Sequence, residues 1–170
     1  MVGTELNFVH LSMLKLILLR HAKTNQWSES GRDFDRELLP KGINQGKELA
    51  KYFEQQSSQD IRILVSPATR TRQTFEFLHT QFDPKMVRFL DSFYLCSYTT
   101  LFDEICLEKN SKTLLIVGHN FGISDLATYL TEQTIELRTG ELIEITFDCD
   151  VWEEVSKGMG TILTQYRPEV

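Results

Sequence analysis

The sequence predicts an α/β domain, a three-layer α/β/α sandwich built on a mostly parallel central sheet. Short apolar runs of strand length alternate along the chain with helix-length segments, which is the pattern of βαβ units. One of those runs, Thr113 to Val117, is apolar at every position after the threonine, as a strand covered on both faces should be. Toward the end, Ile143, Ile145 and Phe147 alternate with Glu144 and Thr146, and Thr161 to Tyr166 forms another strand-like run. These suit two closing strands that include an antiparallel one.

Each element follows in order. Leu14 to Leu19 is the first strand, and the polar stretch from Ala22 to about Leu39 is the longest loop, hence a candidate substrate-facing segment. Pro40 suits a first helical turn, after which Ile43, Leu49, Ala50 and Phe53 share a face and the helix should end near Ser57. Ile61 to Val65 is the second strand. Ser66-Pro67 reads as a helix start, with Ser66 as N-cap, and the helix turns Ala68, Phe75 and Leu78 inward. Met86 to Leu90 is a weaker third strand, followed by an amphipathic helix carrying Leu101, Phe102, Ile105 and Cys106. After Thr113 to Val117 and the triplet Gly118-His119-Asn120 comes a helix with Phe121, Ile123, Leu126, Ala127 and Leu130.

The length of 170 residues fits one domain, and with 41% hydrophobic residues it can fill one layered core. The division expected is an N-terminal extension over residues 1–12, without clear period, and a domain over 13–170. A net charge of −6, with no basic stripe, argues against nucleic acid as a partner. The longest early apolar run is too short to span a bilayer and no basic leader precedes it, so neither membrane nor export is expected. Cys96, Cys106 and Cys149 are odd in number and widely spaced, which reads as reduced, mostly buried thiols in a cytoplasmic protein.

In open α/β sheets ligands sit at the carboxyl ends of strands, so the residues just beyond each strand are the informative ones. The first strand ends in Arg20-His21, the second in Ser66-Pro67 with Arg70 one turn on, and the buried strand in Gly118-His119-Asn120. Taken singly, each has a plain explanation: a surface pair, exposed helix charges at Arg70 and Arg72, a helix-entry histidine. Jointly they bring two arginines and two histidines to one edge of an acidic chain, which describes an anion site. Phosphoryl transfer relies on positioning and cationic stabilisation. Arginine matches phosphate oxygens with planar donors. Histidine serves as nucleophile when neutral and as donor when charged.

These residues resemble the histidine phosphatase superfamily, with its phosphoglycerate mutase-like fold, and in particular the short phosphohistidine phosphatase SixA-like branch. The resemblance rests on Leu-Leu-Arg20-His21-Ala22-Lys23, on Val65-Ser66-Pro67-Ala68-Thr69-Arg70 with Gln73-Thr74, and on Val117-Gly118-His119-Asn120. It implies that His21 becomes transiently phosphorylated while Arg20, Arg70 and His119 grip the phosphoryl oxygens, with no metal and no cofactor. Larger members place a glutamate after the third strand as general acid; the nearest equivalent here is Asp91, which reads equally well as a solvated turn aspartate. The partner implied is a phosphohistidine protein or a phosphorylated small molecule. Competing readings are a general small-molecule phosphomonoesterase and a non-catalytic phosphate- or phosphoprotein-binding module; a chain this short leaves little room for the lid of a mutase.

Other features carry less. Gly42 to Lys47 has too few residues between its glycines for a P-loop, and Gly158-Met-Gly160 is isolated. Asp33-Phe-Asp35-Arg36, with Arg32 beside it, reads as a salt-bridged turn that could shape the pocket mouth, and Tyr94 and Tyr98 could line that mouth or pack internally. No cysteine lies at a strand-end motif, so a cysteine-based phosphatase is not expected.

Overall fold

A computed structural model describes residues 13–56 and 60–170. The expected extension over residues 1–12 lies outside the described residues. The strands are β1 (Leu14–Arg20), β2 (Ile61–Val65), β3 (Val87–Phe89), β4 (Thr113–Gly118), β5 (Leu142–Phe147) and β6 (Thr161–Tyr166). The helices are α1 (Pro40–Glu54), α2 (Thr69–Glu76), α3 (Tyr98–Cys106) and α4 (Gly122–Thr131).

The strands form one sheet in the order β3-β2-β4-β1-β5-β6. β3, β2, β4 and β1 run parallel; β5 is antiparallel to β1, and β6 to β5. β5 alone therefore runs against the rest of the sheet, and β6 returns to the direction of β1, so the closing pair includes an antiparallel strand as expected. Alternate residues of the central strands face opposite layers. Leu16, Leu18, Leu114, Ile116 and Ile145 pack with Leu101 and Ile105 of α3 and with Leu126 and Leu130 of α4. Ile17, Leu19, Ile63, Leu115 and Val117 pack on the other side with Leu49 and Phe53 of α1 and with Phe75 of α2. That is the three-layer sandwich.

The register matters most for function. Arg20 lies opposite Gly118, and Val65 opposite Val117. His21, Ser66 and His119 consequently leave the sheet side by side, each as the next residue along its strand.

Several local expectations need correction. α1 ends at Glu54, ahead of Ser57, which lies outside the described residues. Its inward face is Gly42, Gln45, Gly46, Leu49 and Phe53, whereas Ile43, one step around the helix, is exposed. Gly42 is there because the helix crosses the chain closely: a Cβ would lie 2.1 Å from the Lys23 carbonyl oxygen. α2 starts at Thr69, with Ala68 before it, because the Ser66 hydroxyl is engaged elsewhere and does not cap it. Phe121 precedes the first turn of α4 and is exposed, outside the apolar face of that helix. The three cysteines are free but only partly buried.

Candidate active site

The strand ends open into a cavity of about 280 Å³. Among its lining residues are Arg20, His21, Arg70, His119 and Asn120, drawn from the three strand-end segments, together with Asp33 and Arg36 from the long loop. The two imidazole rings lie 5.3 Å apart, centroid to centroid.

His21 is held by its own backbone neighbourhood. Its Nδ1 lies 2.8 Å from the Ala22 carbonyl oxygen, which can only accept, so Nδ1 carries the proton and the Nε2 lone pair is left to the cavity. The next residue is strapped down as well: Ala22 N–H donates to Thr74 Oγ1 at 3.0 Å, and Thr74 Oγ1 donates back to the Arg70 carbonyl at 2.7 Å. A third strap comes from Gly140, whose N–H donates to the His21 carbonyl at 3.0 Å. Gly140 adopts φ +75°, a left-handed conformation in which a side chain would strain the turn, and a Cβ would also meet Gln45 at 2.8 Å. Gln45 in turn accepts from Lys23 N–H and donates to the Thr139 carbonyl, both at 2.8 Å.

Arg20 and Asn120 share one anchor. Arg20 NH1 and Asn120 Nδ2 each donate to the Leu137 carbonyl at 2.9 Å, and the Ser124 hydroxyl donates to Asn120 Oδ1 while accepting from Leu137 N–H. Burial pulls the Arg20 guanidinium below its ordinary range, with Glu136 and Glu141 working against the shift. His119 Nε2 lies 2.7 Å from Ser66 Oγ. Burial pushes His21 down to about 3, against its bond to Ala22 and helped by the charges of Arg70, Arg20 and Arg36. Burial likewise pushes His119 down to about 3, helped by His21 and Arg70. Both rings are neutral at physiological pH, and one of them presents a free lone pair.

Three buried polar atoms at this site have no partner: Arg20 Nε, Arg70 Nε and His119 Nδ1. Buried donors are rarely left unpaired in a folded protein. Two guanidinium edges without acceptors, beside an imidazole edge, are suited to an anion. Arg70 is buried on α2, while Arg72 is exposed and packs its guanidinium over the Phe89 ring 4.2 Å away. The two arginines of that helix are thus separated into a cavity residue and a surface residue.

Asp91 stands apart from this group. It is exposed at the start of a short turn after β3 and does not line the cavity. The carboxylate that does is Asp33, which pairs with Arg70 at 2.9 Å and with Arg36 at 2.7 Å. The salt-bridged turn is therefore present and reaches the pocket. The two tyrosines divide: Tyr94 donates its hydroxyl to Asp33 and sets its ring edge-on to His119 at 5.8 Å, whereas Tyr98 packs against Tyr129 at 5.2 Å. Ser66 and Asn120 lie in the strand-end motifs and Asp33 and Arg36 in the long loop, but nothing in their spacing marks them as site residues.

Among the described residues no group of three His, Cys, Asp or Glu side chains could hold a metal ion. No described helix is long and apolar enough to cross a membrane.

The comparisons agree with the geometry. A family profile described as histidine phosphatase superfamily (branch 1) matches residues 16–93. An uncharacterized chloroplastic protein of Arabidopsis thaliana is 32% identical over 151 residues, covering 82% of this chain and 69% of the plant protein. Among solved structures, the SixA-type protein of Nakamurella multipartitia superposes with a TM-score of 0.80 at 19% identity, covering 93% of this chain and 98% of that one. The protein histidine phosphatase SixA complexed with tungstate gives a TM-score of 0.74 at 22% identity, covering 89% and 96%. At such identities the structural likeness speaks for the shared α/β fold. With the profile match and the plant relative, the chain belongs to the histidine phosphatase superfamily.

Proposed function

We propose that the protein removes phosphoryl groups in two steps through a phosphohistidine intermediate on His21. The observation that carries this reading is the fixed tautomer: Nδ1 of His21 is tied to the Ala22 carbonyl and its free Nε2 lone pair lies among Arg20, Arg70 and His119. In the first step Nε2 attacks phosphorus in line with the leaving group, forming the N–P bond as the P–O or P–N bond to that group breaks. Arg20, Arg70 and His119 hold the three equatorial oxygens, where charge accumulates in the transition state. His119 takes part as a neutral ring: its Nε2 pairs with the Ser66 hydroxyl at 2.7 Å, and its partnerless Nδ1 is the atom that would donate to a phosphoryl oxygen in the tautomer protonated there. In the second step water takes the phosphoryl group and His21 returns to its starting state.

Support for the substrate class comes from the protonation state of the carboxylate that lines the cavity among the described residues. Asp33, the carboxylate lining the cavity, is pulled down to about 2 by Tyr94, Arg36 and Arg70 despite its partial burial. It is an anion at neutral pH and has no proton to give a leaving alkoxide. The site therefore suits leaving groups that depart without a carboxylic acid, and a phosphohistidine protein or another phosphoramidate is the substrate class proposed.

The test is phosphate release from an aryl phosphate and from a phosphohistidine peptide, with EDTA present, by the wild type and by His21→Ala. Turnover that survives EDTA and disappears in the variant is the expected outcome, with the phosphohistidine peptide the better substrate. A folded His21→Ala protein that retains phosphate binding and wild-type turnover would remove His21 from the mechanism. Phosphate binding without turnover by the wild type would favour the binding-module reading.

A further inference from the structure

Arg70 already holds an anion, the Asp33 carboxylate. Its NH1 donates to the Asp33 main-chain carbonyl at 2.8 Å and its NH2 to Asp33 Oδ2 at 2.9 Å. The same Oδ2 accepts the Tyr94 hydroxyl at 2.8 Å, and Oδ1 accepts Arg36 NH1 at 2.7 Å. One carboxylate thus draws together α2, the long loop and the segment after β3. Paired oxygens facing guanidinium forks are also how a phosphoryl group is recognised, so Asp33 and a ligand compete for the same donors.

The competition is uneven. The Arg70 side chain is only 3% exposed, which fixes it, whereas that of Asp33 is 41% exposed on a three-residue turn. Asp33 can swing away while Arg70 stays. The donors around it are not exhausted either, because Arg20 Nε, Arg70 Nε and His119 Nδ1 remain without acceptors. A single carboxylate at one side of the cradle does not do what a tetrahedral anion would do at its centre.

Resting on the phosphatase reading above, we propose that Asp33 is a resident counter-anion of the phosphoryl cradle. Its carboxylate holds Arg70 and Arg36 and is displaced by the incoming phosphoryl group. Displacement frees Tyr94 Oη and Arg70 NH2 to donate to phosphoryl oxygens. The bonds that Asp33 gives up are subtracted from the affinity of every phosphorylated ligand, the product phosphate included. Asp33 then acts as a positioning and specificity-setting residue that keeps product from remaining on four cations, Arg20, Lys23, Arg36 and Arg70.

The experiment is calorimetric titration of the full chain with inorganic phosphate, for the wild type, Asp33→Ala and Asp33→Glu. The main-chain bond from the Asp33 carbonyl to Arg70 NH1 survives both substitutions, so Arg70 stays anchored. Removing a unit charge a few ångströms from a bound anion should tighten phosphate binding about tenfold or more in Asp33→Ala. Asp33→Glu, which keeps the charge, should return toward wild type. In steady-state assays with an aryl phosphate, Asp33→Ala should lower KM and the inhibition constant for phosphate together, without raising kcat. Weaker or unchanged phosphate binding by an Asp33→Ala protein that melts like the wild type would overturn the proposal and leave Asp33 as a scaffold for Arg70. Failure of the folded wild type and of Asp33→Ala alike to bind phosphate would instead refute the phosphoryl cradle itself, and this proposal with it.

Discussion

Acidification from pH 7 to pH 5 should destabilise this protein by about 4 kcal/mol, because two buried histidines must remain neutral in the folded state. Burial places both His21 and His119 near 3, whereas the unfolded chain binds a proton at each with a pKa of about 6.5. Between those values the unfolded state holds more protons than the folded one, so stability rises with pH and is lost as pH falls through the window. For one histidine, RT ln of (1 + 10^1.5)/(1 + 10^−2) is about 2 kcal/mol at pH 5, against almost nothing at pH 7. The result scarcely depends on the folded value, since both rings titrate well below pH 5. The pair therefore contributes a loss of about 4 kcal/mol, a large part of a typical domain stability of about 5–15 kcal/mol. Asp33, held at about 2, loses its own contribution only below this range.

Urea unfolding between pH 7 and pH 5 measures the loss directly, provided the m-value stays constant across the series. A His119→Gln variant should show about half the wild-type slope, and the double variant with His21→Gln close to none. A wild-type stability that is flat from pH 7 to pH 5 would refute the reasoning, since it would mean that neither ring is held neutral by the fold.

Other substitutions address the division of labour at the strand ends. Arg70→Ala should lower kcat/KM for an aryl phosphate by about 10²–10³, the usual loss for one transition-state donor, and Arg70→Lys should recover only part of it because the planar fork is gone. Steady-state kinetics on folded variants would show this, and near-wild-type Arg70→Ala turnover would remove Arg70 from the cradle. Asp91→Asn should leave turnover within about twofold in the same assay, since this exposed side chain lies outside the cavity; a hundredfold loss would restore it as the general acid.

The parts of this account that could be read from the sequence are those where local pattern and tertiary role coincide. The run Thr113 to Val117 becomes a central strand because every residue after Thr113 is apolar, and Arg20-His21 and His119 follow strands whose ends the parallel register brings together. Ser66 was harder to read, since before a proline it has the appearance of a helix cap, yet its hydroxyl goes to an imidazole contributed 53 residues later. Asp33 was harder still: its pairing with Arg70 depends on how an eighteen-residue stretch, Ala22 to Leu39, folds over the strand ends, and no periodicity records that. Ile43 fails for a simpler reason: Gly42 and Gly46 place the close-packed face of α1 one step around from the apolar residues alone.

The most direct test of the central claim is to quench turnover rapidly at alkaline pH, where phosphohistidine survives, and to locate the phosphoryl group by peptide mass spectrometry. The account predicts one phosphoryl group on His21 that forms with substrate, decays with water, and is absent from His21→Ala. A label on any other residue, or full turnover with no phosphoenzyme at any time of quenching, would contradict it.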